Sequence, residues 1–524
     1  MSGPENPSPT PRDLLAEGDA VQALAAAEAA LKRDPGDAEA AFVAAIVFAE
    51  SGRLHDALAA MERIAGLVPA NAEYLAHHGR MLIMARRNDD ALVAARAAVA
   101  AGSEDSAVLD TIGGVFARLG LHDEAVPLFE RAVSMAPERL EFRFNLAGSL
   151  GVVGRMDEAA AQYEAIIAID PAHGRAHLAL AGLRCTPDAA NVARIDAAIR
   201  AGADPAEAVR LHYAAATMLE QAGDHAGMFA HLASGNALHR ARLGYDPASD
   251  DAIFDAVRRT FARELPLQAD STLRDAPLFV VGLPRTGTAL VARILAAHPH
   301  VTAAGELQAM PLAIKQLAGT SSRTVLDAAT VTAMAGQSAQ AVGERYLLRA
   351  RQHAGALQGR FTDTFPLNFL YIGWIAQAFP EASIVCLRRG AMDSVWNNFK
   401  HLFAQGSPYY RWSYDLMDTA RYVLAFQRLM AFWRQRFPGR IHEVTYEMLV
   451  NDQEVQTRRM LAHCGLEWDP ACAVFPGGAA ATDRADAPLL REPITPRAIG
   501  RWREYEAQLG PVMDFFAENG IPFD

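Results

Sequence analysis

The sequence predicts two architectures in one chain of 524 residues: an all-α repeat solenoid over 13–244 and an α/β domain with a parallel sheet over 276–524. Three observations carry this. Marker residues recur every 34 positions through the first half. From 276 onward, short runs rich in β-branched and aromatic residues alternate with helical stretches. The first of those runs ends in a glycine-bearing turn that opens a helix. Length points the same way, because a chain of this size exceeds what one core ordinarily packs.

In chain order, residues 1–12 are rich in Pro and polar groups and read as a disordered tail. The start has neither the basic residues nor the apolar run of a secretory leader, so a cytoplasmic location is expected. The repeats follow. Gly18, Gly52, Gly120 and Gly154 share one register, with Arg86 in the remaining place. Ala23, Ala57, Ala91, Ala125 and Ala159 share a second, and Pro35, Pro69, Pro137 and Pro171 a third, with Ser103 in its gap. Glycine permits a tight turn between two helices, alanine lets them touch, and proline ends the second one. This pattern is similar to the tetratricopeptide repeat, in five copies. The stretch 211–242, with Gly223 and Asp224 at its turn, is expected to be a degraded terminal helix pair. Repeat arrays of this kind imply a protein partner on the solenoid, whose chemistry the packing markers do not specify.

A linker over 245–275 is expected to hold a helix at 252–264. Strands are then expected over 276–282, 359–364, 382–387 and 440–445, separated by helical stretches, which indicates a parallel sheet. Ligands on such sheets bind beyond the C-terminal ends of the strands.

Bulk chemistry narrows the function. The chain is 51% hydrophobic and 21% charged, with no apolar run long enough to span a bilayer, so no membrane partner is expected. A net charge of −12 opposes general nucleic-acid binding, which needs a basic footprint. Cys185, Cys386, Cys464 and Cys472 are scattered without a C-x-x-C pair. They are expected to be reduced and mostly buried, and no metal is expected.

The turn after the first strand reads Gly282-Leu-Pro-Arg285-Thr286-Gly287-Thr288, and a helix is expected over 290–297. A glycine-bearing strand-to-helix turn aims backbone N–H groups and a helix N-terminus at an anion. The glycine spacing matches a nucleotide P-loop, but Thr288 replaces its lysine and Ala289 stands where the Mg²⁺-binding hydroxyl belongs. A P-loop kinase or hydrolase is therefore disfavoured. What remains is an anion cradle with Arg285 as its cation.

The stretch PLFVVGLPRTGTALVARILAAHPHVTAAGEL resembles the 5'-phosphosulfate loop of sulfotransferases, in particular tyrosylprotein sulfotransferases, and further motifs extend the likeness over most of 276–524. The chain is similar to bacterial proteins that join tetratricopeptide repeats to such a domain. The resemblance implies a transfer of a sulfuryl group from 3'-phosphoadenosine 5'-phosphosulfate (PAPS) to a hydroxyl. It implies that Arg285 contacts the phosphosulfate, that Thr286, Gly287 and Thr288 donate to the 5'-phosphate, and that Glu306 is the general base. It places Arg389 and Asn397 on the 3'-phosphate, Tyr446 near the adenine, and Arg501 and Trp502 in a C-terminal Gly-Arg-Trp closing over the nucleotide. Asn397 stands where the family has serine. The family's D-K-x-P reads Asp363-Thr364-Phe365-Pro366, so the lysine beside the leaving oxygen is a threonine. Losing one charged donor at a transition state costs about 10²–10³ in rate. Two readings stay open: an active sulfotransferase, with peptide tyrosine as the acceptor the family suggests and a carbohydrate or small alcohol as alternatives, or a repeat scaffold that binds the nucleotide with weakened chemistry.

Overall fold

The computed structural model describes residues 9–183, 189–262, 265–322, 324–355, 357, 359–473 and 496–523. Backbone contacts divide the chain into two compact units, Met1–Ala222 and Gly223–Asp524.

The first unit is a run of antiparallel helix pairs. They are Pro11–Ala16 with Ala20–Arg33, Ala38–Glu50 with Leu54–Leu67, Ala72–Met84 with Asn88–Ala101, Ser106–Arg118 with His122–Met135, and Leu140–Val152 with Met156–Ile169. The five marker alanines each have 0% of their surface exposed, so a methyl group fills the space where paired helices meet. The four turn glycines have φ between +78° and +87°. Arg86 adopts the same left-handed conformation, at φ +61°, although it carries a Cβ. Helix starts at Asp19, Asp37, Asn71 and Asp105 are capped by the side chain accepting backbone N–H bonds of the first turn. Two further helices, Gly174–Leu183 and Ala189–Arg200, which lack the marker set, both pack on Pro205–Gln221. Residues 184–188, with Cys185, lie outside the described residues. So do residues 1–8 of the expected tail; Thr10 caps a helix that begins at Pro11, inside the stretch read as disordered.

The solenoid expected to run to 244 differs from the division by one helix. His225–Leu243 belongs to the second unit. Its anchors are polar and remote in sequence: Asn236 Nδ2 donates to the Phe399 carbonyl at 2.9 Å, and the Arg240 guanidinium binds the buried Asp418 carboxylate at 2.7 Å. The linker helix is Pro247–Phe261, started by Asp246 as cap and Pro247 at the first position, five residues ahead of expectation.

The second unit is built on five parallel strands, β1 (Leu278–Gly282), β2 (Val301–Ala303), β3 (Arg360–Asp363), β4 (Ser383–Arg388) and β5 (Ile441–Thr445), in the order β2-β3-β1-β4-β5. Four were expected. The edge strand β2 has only three residues, too few to show a strand period. Every residue of β1 is buried, as is all of β4 but its last, which is why β1 and the centre of β4, Ile384 to Leu387, read as apolar runs. The chain leaves β1 toward β2 on one side and returns to β4 on the other. That reversal opens a crevice at the C-terminal ends of β1 and β4. Cys386, Cys464 and Cys472 are buried free thiols. Among the described residues, no helix is long and apolar enough to cross a membrane, and no group of three or more His, Cys, Asp or Glu is arranged to hold a metal ion.

Candidate active site

The turn from β1 into helix Thr288–Ala296 sits over that crevice. Gly282 lies so close to β4 that a Cβ there would stand 2.5 Å from the Leu387 carbonyl oxygen. Gly287, at φ +108°, would put a Cβ 2.8 Å from the Tyr446 ring. Both glycines are therefore required by close approach as well as by turn geometry. Arg285, half-buried, holds φ +61°, a strained conformation of the kind that collects at binding loops. Thr286 departs from expectation in one respect: its buried hydroxyl donates to the Leu283 carbonyl at 2.6 Å, so it closes the loop and leaves the backbone N–H for an anion. Asn398, which the sequence reading passed over, donates from Nδ2 to the Pro284 carbonyl at 2.9 Å and to Ser394 O at 2.8 Å. It ties the loop to helix Ala391–Phe399.

Arg389 follows β4 directly, with 6% of its side chain exposed. Its guanidinium carbon stands 4.4 Å from the centre of the Tyr446 ring, it donates to the Ala498 carbonyl, and its Nε lies 3.7 Å from Asp393 Oδ2. That Nε is buried and makes no hydrogen bond, and the same holds for Asn397 Nδ2 on the next helix. Asp393 Oδ2 also accepts the Gly500 N–H at 2.8 Å, and Glu447 Oε1 accepts the Gly390 N–H at 3.0 Å. Burial is the main reason the Tyr446 phenol is held above its usual titration range. The C-terminal segment is thus drawn onto the start of helix Ala391–Phe399. Arg501 is exposed, 3.6 Å from Glu504, whereas Trp502 is buried in the core with the Arg503 guanidinium 4.8 Å from its ring. Tyr505 stacks on Trp396 at 4.0 Å.

Glu306 is exposed on the loop between β2 and helix Ala309–Ala318. The Ala304 N–H donates to Thr362 O at 3.2 Å and the Thr364 N–H to Gly305 O at 2.9 Å, so this loop runs beside the end of β3. Thr364 is 3% exposed and its Oγ1 has no partner. The fully buried Asp363 carboxyl accepts from the N–H groups of Phe365 at 3.0 Å and Leu307 at 3.3 Å and from the Tyr346 hydroxyl at 3.1 Å. Its pKa is pushed up to about 7, by burial above all, with those donors opposing the rise.

The sites fall into two groups on one edge of the sheet. Arg285, Thr286, Gly287, Thr288, Arg389, Asn397 and Tyr446 gather at the ends of β1, β4 and β5; Glu306 and Thr364 stand at the ends of β2 and β3. Burying a donor without a hydrogen bond costs about 1–3 kcal/mol, and Arg389 Nε and Asn397 Nδ2 are both buried in that way.

Fold and site define a helical-repeat protein joined to a parallel α/β domain whose glycine-bearing strand-to-helix loop lacks the P-loop lysine. Comparison with known proteins is more specific. Residues 277–470 match the sulfotransferase family, and 14–81, 78–139 and 111–174 match tetratricopeptide repeats. An uncharacterized protein of Aquifex aeolicus is 26% identical over 57% of this chain and 40% of its own length. Protein-tyrosine sulfotransferase 1 of Homo sapiens is 30% identical over 27% of this chain and 40% of its own. The chain thus spans about two fifths of the length of these curated relatives. A thermophilic tetratricopeptide-repeat protein of Thermus thermophilus superposes on 33% of this chain and 94% of its own, at 24% identity and a TM-score of 0.29. Residues 277–470 are thus similar to the sulfotransferase family, and 14–174 to tetratricopeptide repeats.

Proposed function

We propose that the second unit transfers a sulfuryl group from PAPS to a hydroxyl, with peptide tyrosine as the acceptor. The observation that carries this reading is the pair of buried donors that make no hydrogen bond, Arg389 Nε and Asn397 Nδ2, beside Tyr446 and the Gly282–Gly287 cradle. They suit a 3'-phosphate, the cradle suits a 5'-phosphosulfate, and the match to the sulfotransferase family supports both assignments. In the in-line step the acceptor oxygen bonds to sulfur as the bond from sulfur to the 5'-phosphate oxygen breaks. The acceptor proton passes to the Glu306 carboxylate. Arg285 and the loop amides stabilise the equatorial oxygens, and adenosine 3',5'-bisphosphate leaves. As in phosphoryl transfer, positioning and electrostatics supply most of the acceleration. Glu306 stands exposed, which suits a macromolecular acceptor, and several relatives are named protein-tyrosine sulfotransferases. The repeats would hold a protein partner.

The test is incubation with PAPS and a tyrosine peptide array, following both adenosine 3',5'-bisphosphate and the sulfated peptide. Product with sugars or small alcohols but not peptides moves the acceptor class. A second reading, a nucleotide-binding scaffold with weakened chemistry, is favoured by Thr364, buried with its hydroxyl unpartnered where the family has lysine. Nucleotide binding without transfer to any acceptor would establish it.

A further inference from the structure

We infer that Asp363 is a positioning residue that sets the Glu306 loop and the Thr364 turn in a common register at the reaction centre. The inference rests on the transfer reading above. Asp363 ends β3, and its Oδ1 receives two backbone donors from different loops: the Leu307 N–H at 3.3 Å, one residue beyond the proposed base, and the Phe365 N–H at 3.0 Å, one residue beyond Thr364. The Thr364 N–H in turn donates to Gly305 O at 2.9 Å, one residue before the base. Glu306 and Thr364 are thus bracketed by two bonds that converge on one carboxyl and a third that links their loops directly.

The surroundings hold this carboxyl still. Tyr346, from helix Ala339–Ala354, donates to Oδ2 at 3.1 Å, and Asn368, from the 3₁₀ turn Pro366–Tyr371, faces it as well. Tyr346 is the titratable group that faces it, and both it and Asp363 are buried. A carboxyl placed this way does not touch the acceptor or the nucleotide; it acts on the rate through the loops it holds. A displacement of about 1 Å in a reacting group costs up to roughly 10²-fold in turnover.

Asp363→Ala removes the shared acceptor. The expected result is a kcat lower by about 10–100-fold, with affinity for adenosine 3',5'-bisphosphate within about 2-fold, since the nucleotide groups lie on β1, β4 and β5. Asp363→Asn keeps an oxygen for both N–H groups and can donate to Tyr346, so it should restore most of the kcat that alanine loses. A general loss of structure would not give that split between variants and between parameters. Hydrogen exchange at Leu307 and Phe365 supplies a readout that survives if the alanine variant misfolds: both amides should be protected in the unsubstituted chain and in the asparagine variant. Free exchange at either amide, or an alanine variant that turns over like the parent, overturns the inference while leaving sulfuryl transfer intact. A parent chain that transfers to no acceptor removes the transfer reading itself, and this inference with it.

Discussion

Replacing Arg389 with lysine tests the nucleotide site where its chemistry is most exposed to measurement. Arginine at this position touches the Tyr446 ring, the Ala498 carbonyl and, through Nε, the Asp393 carboxylate, and that Nε makes no hydrogen bond. Alanine would confuse the result, because it strands Asp393, 4% exposed, as a buried charge, at a cost of about 3–5 kcal/mol. Lysine keeps the charge facing Asp393 and Tyr446 and loses the planar fork. A charge-assisted hydrogen bond contributes about 1.5–3 kcal/mol, which corresponds to roughly a 10–150-fold weaker Kd for adenosine 3',5'-bisphosphate. Calorimetric titration measures it, with adenosine 5'-monophosphate as the control. Lacking the 3'-phosphate, that control should bind both proteins alike. Unchanged affinity for the bisphosphate, or an equal loss for both nucleotides, would refute the assignment of Arg389 to the 3'-phosphate.

Three further outcomes follow from the same structure. Glu306→Gln should leave nucleotide affinity intact and lower turnover by about 10²–10⁴, the range for a lost general base; a rate near that of the parent would end this mechanism. Arg86→Gly should stabilise the first unit: relief of the left-handed conformation, about 1–2 kcal/mol, outweighs the greater backbone entropy of glycine, about 0.5–1 kcal/mol, and the side chain removed is exposed. A rise of about 1–4 °C in the first unit's Tm is expected, and a fall would contradict the strain argument. Asp363 and Asp250 are both raised by burial, to about 7 and about 6, from an ordinary value of 3.8. A carboxyl whose folded pKa lies above its unfolded one stabilises fully below the unfolded value and loses that contribution as pH climbs through the folded one. The second unit should therefore melt lower at pH 7.5 than at pH 5 by more than the Asp363→Asn variant does over the same interval, and equal slopes would exclude Asp363 as the cause.

The sequence by itself determined the 34-residue register, the α/β grammar of the second half and the anion loop. Each is written locally. A marker alanine is set by the helix that precedes it within the same repeat, a glycine by its own turn, and β1 and β4 by burial that spares only the last residue of β4. Only the tertiary structure decided where the first unit stops, that β2 exists, and which polar groups hold the site. The partners of Arg240, Asn398 and Asp393 lie 178, 114 and 107 residues away, and no local pattern encodes such pairings. Asp363 left a faint signal, an acid closing a strand buried but for its first residue, but the two loops that converge on it meet only when β2 and β3 pair. Trp502 stands in a motif legible in the sequence, but the burial of its ring is settled only by folding. Local chemistry sets which backbone conformations are accessible, whereas burial of a charge or an amide is settled by what arrives from elsewhere in the chain to meet it.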